Sequence, residues 1–129
     1  QLLPFGYRLK GKIVHGQHIG STKLGVPTAN LERQKKTLPP FGVYYAKAKT
    51  QDGRTWRAVT NIGMRPSVTD SPEVTIESHL IGMEYADIYG QQLELTLLGY
   101  IRDVVRFPSL DELAAQLQKD IAAAKKLPL

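Results

Sequence analysis

The run Val43-Tyr44-Tyr45-Ala46-Lys47-Ala48-Lys49-Thr50, the tetrapeptide Gln51-Asp52-Gly53-Arg54 and the run Thr55-Trp56-Arg57-Ala58-Val59-Thr60-Asn61-Ile62 decide the fold class. Two β-like segments flank an Asp-Gly pair, a strong local hairpin signal. A two-residue turn at Asp52-Gly53 requires positive φ at both central positions, and Gly53 meets that requirement without a Cβ clash. The two runs are therefore expected to pair antiparallel. The same texture recurs at 9–14, 74–81 and 93–101, where short apolar or alternating runs are bounded by Gly, Pro, Asp and Asn. After Ile101 the period changes. Leu110, Leu113, Ala114, Leu117, Ile121 and Ala124 recur at spacings of three and four, which is one face of a helix. Ser109-Leu110-Asp111-Glu112 reads as a capping box, Pro108 marks the entry, and Lys125-Lys126 complement the macrodipole of the last turn. Five strands followed by one helix suggest a small barrel or sandwich with a helix packed on it. Closing the sheet would remove its edges, with the helix expected to cover one opening.

Composition bounds this picture. The 129 residues correspond to one domain. With 42% hydrophobic and 22% charged residues, the chain is neither disordered nor fibrous. The absence of Cys excludes a disulfide framework, a thiolate nucleophile and a Cys-ligated zinc. No apolar run approaches the ~18 residues of a membrane helix. Gln1-Leu2-Leu3-Pro4 lacks the basic-then-apolar pattern of a signal peptide, so a cytoplasmic location is expected. The net charge of +5 suits a polyanionic ligand or only aids solubility. The positives are scattered, and the densest patch, Arg33-Gln34-Lys35-Lys36, is shorter than a nucleic-acid arm. Aromatic residues make up 8% and are not interleaved with a basic stripe. A barrel that binds single strands by stacking therefore ranks below one that binds a small nucleotide, and neither nucleic acid nor membrane is expected as a partner.

The densest cluster of special residues is His15-Gly16-Gln17-His18-Ile19-Gly20-Ser21-Thr22-Lys23-Leu24-Gly25-Val26-Pro27-Thr28-Ala29-Asn30-Leu31. Its glycines allow backbone N–H groups to converge on an anion, or serve only a long surface turn. Lys23 is a candidate to neutralise a phosphate. Thr28 and Asn30 offer the hard oxygens that Mg²⁺ accepts. The spacing is not a Walker A loop, because Val26-Pro27 stands where Lys-Ser/Thr is required. His15 and His18 have no well-spaced third ligand for a transition metal. In the run 74–81 the residues alternate, so Glu77 and His79 share a face. Glu77 is there either a general base for a hydroxyl or a solvated residue of the outer face. Trp56 and Tyr44 read as packing residues. Arg102 and Phe107 either belong to a solvated link or line a site for a planar ligand.

At these residues the chain resembles a known family. Gly-Val-Pro-Thr-Ala-Asn-Leu (25–31), following His-Gly (15–16) and Gly20, is similar to the signature of riboflavin kinases, in particular the kinase module of bacterial bifunctional riboflavin kinase/FMN adenylyltransferases. The likeness continues in order through Leu38-Pro39, Gly42-Val43-Tyr44, Asn61-Ile62-Gly63-Met64-Arg65-Pro66, Glu77-Ser78-His79-Leu80, Ile88-Tyr89-Gly90, Arg102-Asp103, Phe107, Asp111-Glu112-Leu113 and Asp120. The resemblance implies a mainly β fold: a six-stranded antiparallel closed β-barrel with Greek-key links plus a C-terminal α-helix. It implies Mg-dependent transfer of the ATP γ-phosphoryl group to the 5′-hydroxyl of riboflavin, giving FMN and ADP. By resemblance Glu77 is the catalytic base. Gly16, Gly20, Lys23, Gly25, Thr28 and Asn30 bind the nucleotide, Thr28 and Asn30 hold Mg²⁺, and Arg102 and Phe107 line the flavin site.

Three positions depart from the family pattern: Ser21-Thr22-Lys23 where an Arg is frequent, Gly82-Met83 in place of an Asp-aromatic pair, and Val104 in place of a Glu. The alternative they raise is a kinase-like barrel that binds flavin or nucleotide with little turnover. The opening 1–8 resembles the linker to an upstream adenylyltransferase domain, and the chain lacks an initiator Met. A single kinase domain over 1–129 is therefore expected, excised from a bifunctional protein and unable by itself to make FAD from FMN.

Overall fold

The computed structural model describes residues 2–14, 28–32, 34, 38–65, 73–83, 90–104 and 109–126. Six strands precede one helix: β1 (Leu2–Val14), β2 (Thr28–Leu31), β3 (Gly42–Thr50), β4 (Thr55–Arg65), β5 (Glu73–Ile81), β6 (Gln92–Arg102) and α1 (Leu110–Lys125). They close into a barrel in the order β1-β2-β5-β4-β3-β6. Every neighbouring pair is antiparallel. β3, β4 and β5 are sequential neighbours and β6 returns beside β3, which is Greek-key connectivity. No helix among the described residues is long and apolar enough to cross a membrane.

The barrel is filled by its own side chains. Leu9, Ala29, Leu31, Ala46, Ala48, Ala58, Ile62, Ile76, Leu80, Leu93, Leu95 and Leu97 are all buried in one cluster. Small residues are set among large ones across the strands: Ala58 faces Ala46, and Ala46 faces Leu97 on its other side. This is how a narrow barrel closes without overpacking. The buried hydroxyls of Thr60 and Ser78 satisfy one another at 3.0 Å. Tyr44 and Tyr100 meet edge to face at 5.6 Å. A Cβ at Gly42 would lie 2.5 Å from the Tyr100 ring, so only glycine lets that ring approach the backbone.

The strands expected from alternation are present, with longer bounds. β2 lies inside the segment read only as a loop, because four residues are too few for a periodic signal. The expected linker 1–8 lies largely in β1, which pairs with β6 from Leu2 onward. A register shift between Leu2 and Tyr7 accommodates Pro4, which has no N–H to give to a ladder.

The hairpin forms, with a different turn from the one expected. Gly53 has φ +90°, but Asp52 does not enter the positive region. Gly53 N–H donates to Thr50 O at 2.9 Å, so Gln51 and Asp52 are the central residues of the turn and Gly53 forms the bulge that follows. The Asp52 carboxylate decides this choice. Its Oδ1 accepts from the Thr50 hydroxyl at 2.6 Å and from the Arg54 N–H at 3.0 Å, which a two-residue turn would not bring together.

The helix is also placed differently. It does not cover a barrel opening but lies against the outer wall. Leu117, Ile121 and Ala124 pack on Val43 and Tyr45 of β3 and Val59 of β4, with Ile81, Leu98 and Ile101 beside them. The β3–β6 register is irregular at Leu98 and Ile101, and both residues belong to the apolar patch under the helix. Ser109 caps α1 by accepting from Glu112 N–H at 3.2 Å. At the other end Arg57 of β4 donates to the Ala124 carbonyl at 3.2 Å, adding a donor at the helix C-terminus. Part of the positive charge is gathered on another stretch of outer wall, where exposed Lys10 and Lys49 flank Glu94 from the two adjacent strands.

The hydrogen bond from Thr50 and the Arg54 N–H hold the Asp52 carboxyl below the usual carboxylate range. A depressed native pKa contributes stability above the unfolded value near pH ~4 that is lost as pH falls through the native value. Asp52→Ala is therefore expected to lower the Tm at neutral pH, with the difference from the parent narrowing below about pH 3. Thermal unfolding across that range checks this.

Candidate active site on the outer barrel wall

One line of cross-strand partners runs around the barrel and collects most of the candidate residues that the structure describes. Val14 of β1 faces Asn30 of β2. Asn30 faces Glu77 of β5, and Glu77 faces Asn61 of β4. Asn61 faces Val43 of β3, and Val43 faces Arg102 of β6. Directly opposed residues share a face and bring their Cβ atoms to about 5 Å. The neighbours along each strand show which face this is. Ala29 and Leu31 flank Asn30, and Ile76 and Ser78 flank Glu77, all buried on the interior side. The row therefore stands on the outer wall. His79, next along that wall from Glu77, faces Thr28 on one side and Val59 on the other. It is 8% exposed, so the wall here is covered rather than solvated.

Glu77 thus has an asparagine on each neighbouring strand. Asn30 is 5% exposed. Its Nδ2 and the Oδ1 of Asn61 are buried and have no hydrogen-bond partner among the described residues. Such groups are uncommon in native folds, because each forfeits its hydration without a replacement. One is a donor, the other an acceptor, and Glu77 is on the strand between them. The donor set offered on this wall consists of amide and carboxylate oxygens, with the Thr28 hydroxyl added by the sequence. That set fits a hard cation such as Mg²⁺. Among the described residues no group of three or more His, Cys, Asp or Glu could hold a metal ion.

Arg102 ends the row three strands from Glu77, about 14 Å along the sheet at the usual strand spacing. Its guanidinium forms a bidentate pair with Asp120 of α1, with Nε to Oδ1 at 3.0 Å and Nη2 to Oδ2 at 2.8 Å. Gln116 donates to the same carboxylate at 3.1 Å. Asp120 is 3% exposed and sits on the helix face that meets the barrel. Arg102 also donates to the Asp103 carbonyl at 2.9 Å. Its fixed fork thus ties the end of β6 to α1. Just beyond, the Val104 methyls lie over Gly63 of β4: a Cβ added there would stand 3.7 Å from them and 3.8 Å from Asn61 Oδ1.

Gly16, Gly20, Lys23, Gly25 and Phe107 lie outside the described residues, and Thr28 is placed by its strand register alone. Trp56 is a packing residue, with the Arg54 guanidinium 4.3 Å above its ring and its Nε1 donating to Thr50 at 3.3 Å.

The family model described as Flavokinase: Riboflavin kinase matches residues 3–128. The chain belongs to the riboflavin kinase family. It is 36% identical over 124 residues to the bifunctional riboflavin kinase/FMN adenylyltransferase of Haemophilus influenzae, a match covering 96% of this chain and 39% of that protein. It is 34% identical over 124 residues to the riboflavin kinase of Homo sapiens, covering 93% of this chain and 79% of that one. The chain thus spans about 39% of the length of the bifunctional relative. Among solved structures it is similar to a macrolide-efflux protein from Streptococcus pneumoniae, with a TM-score of 0.83 at 29% identity over 95% of this chain and 40% of that one. Its fold is also that of riboflavin kinase from Trypanosoma brucei, with a TM-score of 0.66 at 23% identity, covering 94% and 78% of the two chains.

Within this family's fold, sequence reasoning passed over Asn61 as a site residue and Asp120 as the partner of Arg102. Asn61 had a signal: counting back from the Gln51–Arg54 turn pairs it with Val43. Asp120 had one too, as the acidic residue set beside Leu117, Ile121 and Ala124 on a buried helix face. Removing that carboxylate takes two hydrogen bonds from Arg102 and one from Gln116. Asp120→Ala is expected to destabilise the fold by about 1.5–3 kcal/mol, the usual worth of hydrogen bonds to a charged group. Urea unfolding with an unchanged m-value measures it.

Proposed function

We propose that this chain is a riboflavin kinase, which transfers the γ-phosphoryl group of ATP to the 5′-hydroxyl of riboflavin and releases FMN and ADP. The observation that carries this reading is the row Asn30–Glu77–Asn61 in a member of the riboflavin kinase family. Phosphoryl transfer asks mainly for positioning and charge neutralisation, and a short row of polar side chains on a rigid sheet supplies the first. Glu77 accepts a hydrogen bond from the primary alcohol and orients it. As the alcohol oxygen bonds to the γ-phosphorus, the bond from phosphorus to the β–γ bridging oxygen breaks. ADP leaves with that electron pair, and Glu77 takes the hydroxyl proton. An ionised carboxylate suffices, because the alcohol loses its proton only as phosphorus is attacked.

Asn30, on the opposite side of Glu77 from Asn61, is the phosphate-side residue. Its unpaired Nδ2 is a donor for a phosphate oxygen, while its Oδ1 and the Thr28 hydroxyl would hold Mg²⁺. Mg²⁺ supplies neutralisation of the phosphate charge when bound with the nucleotide. Gly16, Gly20, Lys23 and Gly25 complete the nucleotide site in this reading. Arg102 and Phe107 belong to the flavin end, where the Arg102–Asp120 pair holds the edge of the site to α1. The bifunctional relatives support a kinase that works covalently joined to an FMN adenylyltransferase domain, and its substrates suit the cytoplasm.

Steady-state conversion of riboflavin to FMN with Mg-ATP tests the reading; binding of both substrates without turnover overturns it. Glu77→Gln is expected to bind ATP as the parent does and to lose about 10²–10⁴-fold in kcat, the range of a general base. A kcat close to the parent's would remove Glu77 from the mechanism. Asn30→Ala is expected to raise the KM for Mg-ATP and the Mg²⁺ concentration needed for half-maximal rate. An unchanged Mg²⁺ dependence contradicts its assignment.

A further inference from the structure

Asn61 is the member of the row with no role so far. Its Oδ1 is buried and lacks a donor among the described residues, although the residue itself is partly open. It lies one strand from Glu77, on the side away from Asn30 and toward Arg102. Beside it the bare backbone of Gly63 and the methyls of Val104 form a shallow apolar floor. An acceptor over such a floor, on a residue whose Cβ stands about 5 Å from that of the residue that orients a terminal alcohol, matches a chain that alternates C–H and O–H. We propose that Asn61 is a specificity-determining residue that accepts a hydrogen bond from an internal hydroxyl of the polyol substrate, one or two carbons from the hydroxyl held by Glu77. The carbons of that chain rest on Gly63 and Val104. This rests on the kinase reading above and adds what that reading leaves open: how a polyol is told from a simple alcohol.

A buried acceptor left empty penalises any substrate that lacks the matching donor. Flavins with a plain hydroxyalkyl chain, which keep the terminal hydroxyl, are then poor substrates for a reason that resides in Asn61.

The test uses riboflavin, 3′-deoxyriboflavin and 4′-deoxyriboflavin with the parent, Asn61→Ala and Asn61→Val. The valine variant suits a strand and carries no acceptor. For the parent, one of the two deoxy analogues should lose about 10–100-fold in kcat/KM. In either variant riboflavin should fall by a similar factor while the KM for ATP stays within twofold of the parent, and the penalty for that analogue should vanish. Thermal unfolding identifies the variant that is folded. Equal penalties in parent and variant overturn the proposal, as does a parent that treats both analogues like riboflavin. If the parent does not phosphorylate riboflavin at all, the kinase reading has failed and the proposal with it, an outcome distinct from the other two.

Discussion

Register is the constraint on which the chemistry of this molecule depends. Asn30, Glu77 and Asn61 come from three segments of the chain and meet because three antiparallel strands pair without a slip. Moving β5 by one residue would turn Glu77 into the barrel interior and put Ile76 or Ser78 on the wall. The interior is occupied by leucines, isoleucines, alanines and Tyr44, whose hydroxyl is committed to the Pro40 carbonyl, with one matched pair of hydroxyls, and is a poor place for a carboxylate. The cost of burying that charge protects the register that assembles the site. Closure extends the same protection around the ring, since no edge strand is free to shift.

The helix serves the same end from outside. Its apolar face covers part of the wall on β3 and β4, and its buried Asp120 grips Arg102 at the last residue of β6. A buried ion pair contributes less to net stability than its geometry suggests, because both partners lose water. What it contributes is direction: a planar fork locked on both oxygens leaves the end of β6 one orientation. Arg57 does related work at the helix C-terminus, where a β4 side chain donates to the Ala124 carbonyl and ties that end to the sheet.

Much of this was legible in the sequence. The runs around Asp52-Gly53 carried the hairpin, period-three-and-four apolar residues carried the helix, and alternation put Glu77 and His79 on one face. The losses have physical causes. The four residues of β2 are too short to display a period and sit beside glycines that dominate the reading of that stretch. The turn type was decided by a carboxylate that hydrogen-bonds two residues away on either side, which residue preferences at Asp-Gly do not encode. The helix went to the wall because Val43, Tyr45 and Val59, with Leu98 and Ile101 of β6, form an outward apolar patch gathered from three strands, which no single run displays. Glu77 was legible as a candidate base, but its two asparagine neighbours follow from pairings between strands distant in sequence.

The two unpaired amide atoms have a consequence for any effort to harden this protein. A buried polar atom without a partner costs a fold about 1–3 kcal/mol. Apolar replacement at Asn30 or Asn61 is thus among the easier ways to gain heat resistance. Selection on melting temperature alone would drift toward such replacements and erode the proposed substrate site. The barrel core, already filled, has less left to give. In this molecule the margin that could be spent on durability is held in the two asparagines that flank Glu77.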